Sequence, residues 1–287
     1  MIDDIFAKFD GAFAKNTIRA YRSDFIQYQT WCLDNSLAPI PATADTMSIY
    51  VDYLSGNNKS ATIRRRINSL GTVLKLSKNY DPTKQPEVIL AIKRMHRKIG
   101  RAQEQATPLT KPLLNQLLSN CDNSVRGLRN QVLLRLGYET MRRRSELCAF
   151  KFEDICQAPS GKPAIRLNFS KTDQYGSGKV LPLSQKLLEL INKWGLLVGG
   201  DGCILKSVNR HGYAGSSLNP ASISTILKAL QERIGIGEEV RPLSGHSFRV
   251  GAALDLLEQG EPLERIMLKG GWQTDSTAMK YLRNWCM

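Results

Sequence analysis

A histidine and an arginine stand three residues apart in the segment SGHSFRVGAA, residues 244–253. Side chains at this spacing lie on one face of a helix, and the free backbone N–H groups at the start of a helix attract anions. His246 and Arg249 therefore predict an anion site. The small residues at 251–253 (GAA) should allow this helix to pack closely against a neighbour.

Three other segments place charged or reactive side chains together. Residues 140–147 (TMRRRSEL) close a predicted helix with three arginines and a glutamate. Gly-Gly-Trp at 270–272 is followed nine residues later by Tyr281, and Ser-Lys-Thr at 170–172 lies at the tip of the first predicted strand. Each of these residues is common in helix packing or on a solvated loop, so the information lies in their joint occurrence and order.

Several common enzyme sites are absent from the sequence. It contains no H-E-x-x-H, and its six cysteines and three histidines lack the spacing of a zinc site, so we expect no metal and no cofactor. GHSFR resembles a nucleophile elbow, G-x-S-x-G, but Arg249 stands where the closing glycine is needed. Before and within GSGKV, Asp173 and Val180 replace the first Gly and the Ser or Thr of a phosphate-binding loop.

The basic charge of the chain is concentrated in one stretch. The 287 residues include 40 Lys and Arg against 26 Asp and Glu, a net charge of +14. Residues 59–101 carry +10, whereas residues 1–58 carry −3. Such a stretch predicts a polyanionic partner, which is nucleic acid or an anionic membrane. No apolar run approaches the ~20 residues of a membrane span, and the acidic start MIDDIFAKFD is unlike a signal peptide. We therefore expect a cytoplasmic protein that associates with nucleic acid and has no membrane role.

Apolar residues recur at helical spacing through most of the chain. The N-terminal third is predicted to form a bundle of four or five helices, the first capped by Asn16, and residues 100–108 to form a linker. The second domain is predicted to be mostly helical with a small β hairpin. The predicted helices are 17–33, 43–55, 61–78, 86–99, 110–120, 124–140, 184–198, 219–234, 245–259, 262–268 and 274–285, and the predicted strands are 164–169 and 178–183.

In chain order, an R-x-x-E-L motif, a hairpin lysine, H-x-x-R, G-G-W and a tyrosine resemble the tyrosine site-specific recombinase (phage integrase) family. The resemblance covers essentially the whole chain. It implies a mainly α fold, with a helical-bundle core-binding domain at 1–99 that clamps DNA, the linker at 100–108, and a mixed α/β catalytic domain, mostly α with a small antiparallel sheet, at 109–287. The catalytic residues that it implies are Arg143, Glu146, Lys171, His246, Arg249, Trp272 and Tyr281.

The register of the first motif follows from its acidic residue. Arg143 matches the first catalytic arginine because Glu146 and Leu147 follow it three and four residues later. The resemblance implies that Glu146 orients the site. Arg142 and Arg144 are then expected to point off that face of the helix.

The resemblance also implies the chemistry of DNA cleavage. Tyr281 attacks a phosphodiester to give a 3′-phosphotyrosyl link and a free 5′-OH, while two guanidinium groups neutralise the phosphate without metal or nucleotide. Lys171 protonates the leaving oxygen, and Lys179 flanks the same turn. His246 assists deprotonation of the tyrosine, and Trp272 contributes shape and one N–H donor.

The expected partner is a double-stranded DNA site, with a homotetramer on two paired sites. Helices of both domains are expected in major grooves. The residues expected to contact DNA are Thr62, Arg64, Arg65, Arg66, Asn68, Ser222, Thr225 and Lys228. Family members often carry a further C-terminal helix or tail that docks on a neighbouring protomer, whereas this sequence ends six residues after Tyr281.

Two other functions fit parts of this pattern. A type IB topoisomerase uses the same chemistry but relaxes supercoils as a monomer, so synapsis of two sites would distinguish it from a recombinase. A catalytically silent DNA-binding or architectural protein would need only the basic bundle. The complete catalytic set argues against that second alternative.

Overall fold

The computed structural model describes residues 2–102, 104–168, 178–237 and 240–282. Its helices are α1 (Ile2–Ala7), α2 (Lys15–Asp34), α3 (Ala44–Leu54), α4 (Ser60–Leu76), α5 (Pro86–Ile99), α6 (Lys111–Ser119), α7 (Val125–Thr140), α8 (Arg144–Ala149), α9 (Gln185–Val198), α10 (Ser222–Arg233), α11 (Gly245–Glu258), α12 (Leu263–Gly270) and α13 (Asp275–Leu282). Its strands are β1 (Ile155–Gln157), β2 (Pro163–Leu167) and β3 (Lys179–Pro182). The chain divides into two compact units, Met1–Glu104 and Gln105–Met287. The predicted mainly α fold with a small antiparallel sheet is confirmed.

The N-terminal unit is a helical bundle with an aromatic core. Tyr28, Trp31 and Tyr50 are buried between α2 and α3, and the Trp31 and Tyr50 ring centroids lie 4.8 Å apart. Helices α2 to α5 end within two residues of the predicted bounds. The predicted cap Asn16 is wrong, because α2 begins one residue earlier and Ala14, whose methyl group accepts no hydrogen bond, holds the N-cap position.

The C-terminal unit packs helices against a small sheet. The sheet has the order β1-β2-β3 and both pairs are antiparallel, with Ile165 of β2 opposite Leu181 of β3. Strands β2 and β3 confirm the two predicted strands, with described ends that differ by one or two residues, and residues 169–177 lie outside the described part of the chain. Strand β1 was not predicted, because three residues are too short to show an alternating pattern.

Close packing of α11 against α7 and against the segment before α6 depends on small residues. A Cβ on Gly137 would lie 2.8 Å from the Phe248 ring, and a Cβ on Gly251 would lie 1.9 Å from the Leu109 carbonyl oxygen. The Leu109 N–H donates to the Ser247 carbonyl at 3.0 Å, which joins the segment before α6 to the first turn of α11. The predicted close packing around 251–253 is confirmed, and it anchors the helix that carries the H-x-x-R pair.

The prediction that residues 140–147 close one helix is wrong. Helix α7 ends at Thr140, Met141 adopts a left-handed conformation with φ of 53°, and α8 begins at Arg144. Arg143 is the extended N-cap residue of α8. A positive φ at a residue with a Cβ costs about 1–2 kcal/mol, and the complete burial of the Met141 side chain offsets this cost. This turn separates the three arginines in direction.

Candidate active site

Arg143 is oriented by the glutamate of its own motif. Its Nη1 donates to Glu146 Oε1 at 2.9 Å, and its backbone N–H donates to Glu146 Oε2 at 3.2 Å. Glu146 is only 5% exposed, whereas the Arg143 side chain keeps 25% of its surface exposed. Because a guanidinium has five N–H donors, Arg143 can hold this carboxylate and still bind a phosphate oxygen.

Arg249 is completely buried on α11. Its Nη1 donates to the Met141 carbonyl at 2.5 Å, while its Nε and Nη2 have no hydrogen-bond partner among the described residues. Burial lowers the pKa of Arg249, the phenol of Tyr281 opposes this shift, and the like charge of Arg143 adds to it. A buried guanidinium with unsatisfied donors is costly unless an anion completes it. The arrangement therefore favours a bound anion such as a phosphate.

The tryptophan and the tyrosine form one face of this site. The ring centroids of Trp272 and Tyr281 lie 4.6 Å apart with 31° between their planes. Arg249 Cζ lies 5.1 Å from the Trp272 ring centroid and 5.4 Å from that of Tyr281, a distance that allows cation–π attraction. Trp272 Nε1 is buried and has no hydrogen-bond partner within the described part of the chain. Groups from α11, α13 and the turn after α12 thus meet at one point.

The backbone carbonyl of Tyr281 accepts a hydrogen bond from the segment before α6. Gln105 Nε2 donates to the Tyr281 carbonyl oxygen at 2.5 Å. Gln105 belongs to the predicted linker 100–108, as does Thr107, whose hydroxyl donates to the Arg241 carbonyl at 3.1 Å. The second half of that segment therefore packs on the C-terminal unit.

His246 and Lys179 differ in exposure and in hydrogen bonding. His246 is exposed in the first turn of α11, and its backbone N–H donates to Ser244 Oγ at 3.3 Å. Lys171 lies outside the described residues. Lys179, on β3, donates its Nζ to the Leu268 carbonyl, and its pKa is lowered by burial and by the charge of Arg142. The structure thus describes Lys179 as bound to the end of α12.

Arg142, expected only to point away from the face of Arg143, is buried. The break at Met141 turns its side chain inward, and only 2% of the residue is exposed. Its Nε donates to the Thr140 carbonyl at 2.8 Å, and its Nη2 donates to the Lys269 carbonyl. The sequence offered no signal for this burial, because the two carbonyls that Arg142 binds belong to the ends of different helices.

The predicted DNA-contact residues of α4 lie toward solvent to different degrees. Arg64, Arg65 and Asn68 are exposed, whereas Thr62 and Arg66 are half-buried. Together with residues of α2 and α4, the three exposed side chains line an open groove of about 390 Å³. Part of the basic stretch predicted from the sequence therefore lines a polar groove.

A buried carboxylate holds two of these arginines. Asp24 of α2 is 2% exposed; Arg65 donates to it through both Nη1 and Nη2, the latter at 3.0 Å, and Arg66 Nε lies 3.9 Å away. Arg65 is thereby fixed in direction while about half of its side chain stays exposed. No sequence pattern indicated this pairing, because Asp24 and Arg65 lie on different helices.

The predicted contacts of α10 share its outward side. Thr225 and Lys228 are exposed and Ser222 is half-buried, while Ile223 and Leu227 face the core. Lys228 Nζ lies 3.7 Å from the carboxylate of Glu232, one turn later, and both side chains are exposed, so the pair contributes little to stability.

The described residues contain neither a metal site nor a membrane-spanning helix. No group of three or more His, Cys, Asp or Glu side chains is arranged to hold a metal ion there. Within the same residues, no helix combines the length and the apolar character that a membrane crossing requires.

Comparison with known proteins identifies the class to which this fold and site belong. Residues 107–285 match the phage integrase family, and since the match covers more than half of the chain, the protein belongs to this family of tyrosine recombinases. Recombinase Cre of Escherichia phage P1 is 26% identical over 95% of this chain and 85% of that protein. An integrase/recombinase XerD homolog of Selenomonas ruminantium is 26% identical over 94% of this chain and 82% of that protein. The family and enzyme class expected from the motifs are confirmed.

Solved structures share the fold. The Tn1549 transposon integrase in complex with transposon right end DNA matches with a TM-score of 0.72 and 14% identity, over 98% of this chain and 94% of that chain. A lambda integrase dimer bound to a COC′ core site matches with a TM-score of 0.69 and 16% identity, over 97% and 92% of the two chains. The same fold at so low an identity shows that the frame of packed helices tolerates extensive sequence change.

Proposed function

We propose that this protein is a site-specific DNA recombinase that cleaves and rejoins strands through a 3′-phosphotyrosyl intermediate formed on Tyr281. One observation carries the proposal. The buried guanidinium of Arg249 has two nitrogens without a partner among the described residues, and it lies against the ring of Tyr281. A phosphate that satisfies those nitrogens would lie next to the attacking phenol.

The chain's own residues account for each step of cleavage. Arg143 and Arg249 bind the nonbridging oxygens and stabilise the charge that develops on them. The Tyr281 oxygen attacks phosphorus, His246 assists removal of the phenol proton, and the bond from phosphorus to the 5′ oxygen breaks. Lys171 gives a proton to that oxygen, which leaves as a 5′-OH. Since the phosphotyrosyl ester conserves the bond energy, a second 5′-OH can reverse the reaction without ATP.

Trp272 and Glu146 support this chemistry without changing bonds. The unpartnered Trp272 Nε1, described above, can donate one hydrogen bond to a phosphate oxygen. Glu146 holds Arg143 in place through the 2.9 Å ion pair. No step of the proposed reaction uses a metal or an organic cofactor.

The proposed assembly is a homotetramer on two paired double-stranded sites. Lambda integrase, which shares the fold, has been solved as a dimer on a core site and as a tetramer bound to a Holliday junction. In our proposal residues 1–99 form a domain that clamps DNA, residues 100–108 link the two domains, and residues 109–287 form the catalytic domain. We place the protein in the cytoplasm, where its DNA substrate is.

The N-terminal unit is proposed to bind DNA through its basic residues. The net charge of +10 between residues 59 and 101 and the open groove beside Arg64 and Asn68 support this assignment. In the C-terminal unit, the exposed Thr225 and Lys228 of α10 are proposed to contact the same duplex. Measuring the affinity of each variant for different DNA sequences separates the two kinds of contact. Loss of a base contact changes the sequence preference, whereas loss of a phosphate contact weakens binding to all sequences.

The experiment is covalent trapping. Binding sites are first selected from a random duplex pool on the immobilised protein, and nicked suicide duplexes carrying them are then incubated with the protein in EDTA. We expect a protein–DNA adduct on a denaturing gel, and Tyr281→Phe should abolish it because the phenol oxygen forms the ester. An adduct that survives this substitution would disprove the assignment of the nucleophile.

A second assay separates recombination from relaxation. A plasmid with two selected sites should yield recombinant products, whereas a type IB topoisomerase would only remove supercoils from it. Relaxation without exchange between sites would favour the topoisomerase alternative. Specific binding with neither product would favour a silent DNA-binding protein.

A further inference from the structure

One buried arginine joins two helix ends in the catalytic unit. Arg142 Nε donates to the carbonyl of Thr140, the last residue of α7, and Nη2 donates to the carbonyl of Lys269, in the last turn of α12. A Cβ on Gly271, which caps α12, would lie 2.7 Å from Arg142 Nη1. Carbonyl groups at helix C-termini lack helical donors and carry partial negative charge. The guanidinium satisfies both ends at once.

These two ends lead directly to the proposed reacting groups. After α7 come Met141, whose carbonyl accepts from Arg249 Nη1, and then Arg143. After α12 come Gly271 and Trp272, whose ring contacts that of Tyr281 at 4.6 Å. A change in the spacing of the two ends would therefore move the phosphate-binding arginines relative to the tyrosine.

The end of α12 also receives the β3 lysine. Lys179 Nζ donates to the Leu268 carbonyl, one residue before the carbonyl that Arg142 binds. Burial, followed by the like charge of Arg249, lowers the pKa of Arg142 to about 10, so it remains charged at neutral pH. A buried cation beside other cations lowers the stability of the fold. An apolar residue would fill the same space without this cost, so the hydrogen bonds of the guanidinium are what distinguish Arg142.

We propose that Arg142 is a positioning residue for DNA cleavage, which sets the distance between the Arg143–Arg249 pair and the phenol of Tyr281 by holding the ends of α7 and α12 together. In this role Arg142 acts through the two helix ends and not on the phosphate or the tyrosine. This inference rests on the proposed function, in which Tyr281 is the nucleophile.

The test compares two buried arginines of the same helix region. Arg129 of α7 is also buried, donates to the Lys206 carbonyl at 3.4 Å and has a pKa lowered by burial to about 10. It precedes Thr140 by about 16 Å of helix. Arg142→Leu and Arg129→Leu thus each remove a buried guanidinium, but only the first changes the two helix ends.

We expect Arg142→Leu to slow single-turnover adduct formation by about 100-fold, since small displacements of reacting groups have effects of this size. Arg142→Lys, which keeps the charge but not the fork, should recover about tenfold of that loss. DNA affinity should stay within about twofold of the parent in both, and Arg129→Leu should cleave within about twofold of it. The near-ultraviolet circular dichroism signal of Trp272 is identified as the part of the spectrum that Trp272→Phe removes. This signal should be lost in Arg142→Leu and kept in Arg129→Leu.

Parental cleavage by folded Arg142→Leu, or an equal loss in Arg129→Leu, would overturn the inference. If Arg142→Leu does not fold, parental cleavage by Arg142→Lys has the same force. If the parent forms no adduct that depends on Tyr281, the proposed function fails instead. The circular dichroism comparison then still decides whether Arg142 holds Trp272 against Tyr281.

Discussion

At the scale of single residues, burial separates the roles of the arginines. Arg143 pairs with a carboxylate and stays partly exposed, whereas Arg249 is fully buried, bound to one carbonyl and packed against two rings. A guanidinium can donate in several fixed directions, but an ammonium group acts as a point charge. Arg249 is therefore the position where shape as well as charge is needed.

Arg249→Lys tests this need. One ammonium cannot both reach the Met141 carbonyl and fork onto a phosphate, so we expect adduct formation to fall by about 10²–10³-fold, as for loss of one preorganised donor. The measurement is single-turnover cleavage of the suicide duplex. Arg265→Lys is the control, because Arg265 is 73% exposed and pairs with Glu261. Equal losses in the two variants would contradict the assignment.

Substitutions of Lys171 and Lys179 are expected to have different effects on cleavage. Lys171→Ala should slow cleavage of normal DNA and recover on a duplex with a 5′-bridging phosphorothiolate, because a thiolate leaves without a proton. Lys179→Ala should show no such recovery, since Lys179 binds the Leu268 carbonyl. Cleavage rates on the two substrates measure both effects. Recovery of the Lys179 variant alone would transfer the role of general acid to Lys179.

At the scale of elements, the turn after α12 carries the tryptophan. Gly271 has φ of 66°, and the Trp272 N–H donates to the Met267 carbonyl at 3.0 Å, a bond typical of a glycine-ended helix. Glycine adopts left-handed backbone without the steric cost that a Cβ imposes. This geometry directs the chain from α12 toward the contact between Trp272 and Tyr281.

Gly271→Ala is expected to destabilise the protein in two ways. It adds strain at positive φ of about 1 kcal/mol, and its Cβ meets Arg142, for which overpacking adds about 1–3 kcal/mol. Gly260→Ala is the matched control, because Gly260 has φ of 77° and no atom near a Cβ among the described residues. Urea denaturation gives both free energies of unfolding. A loss no greater than that of the control would show that Arg142 yields to the added methyl group.

At the scale of the whole molecule, the uneven charge governs how DNA is approached. The acidic first 58 residues and the +10 of residues 59–101 belong to the same compact unit. Phosphate contacts release counterions, so affinity should fall steeply with salt. The position of a removed charge should therefore matter more than the change in net charge.

Arg64→Gln and Lys8→Gln test this dependence. Each removes one positive charge from an exposed side chain of the N-terminal unit, but only Arg64 lines the groove beside α4. We expect the slope of log K against log salt to decrease by about one for Arg64→Gln and to stay unchanged for Lys8→Gln. Binding titrations at several salt concentrations measure it. Equal slopes would remove α4 from the proposed DNA interface.

The sequence alone determined most helices, the hairpin and the family. Apolar periodicity reflects geometry within one segment, so α2 to α5 were placed within two residues. The motif order also singled out Arg249, Trp272 and Tyr281, whose side chains the structure brings together. These features depend on local spacing or on the order of residue types, and both are visible in one dimension.

Only the tertiary structure decided the break at Met141, the inward turn of Arg142 and the pairing of Asp24 with Arg65. Left-handed backbone at Met141 is unfavourable in an isolated segment and persists because its side chain is buried in the cluster of α11, α12 and α13. Arg142 and Asp24 find partners on other helices. No periodicity encodes such contacts, because their free energy exists only once distant segments have packed.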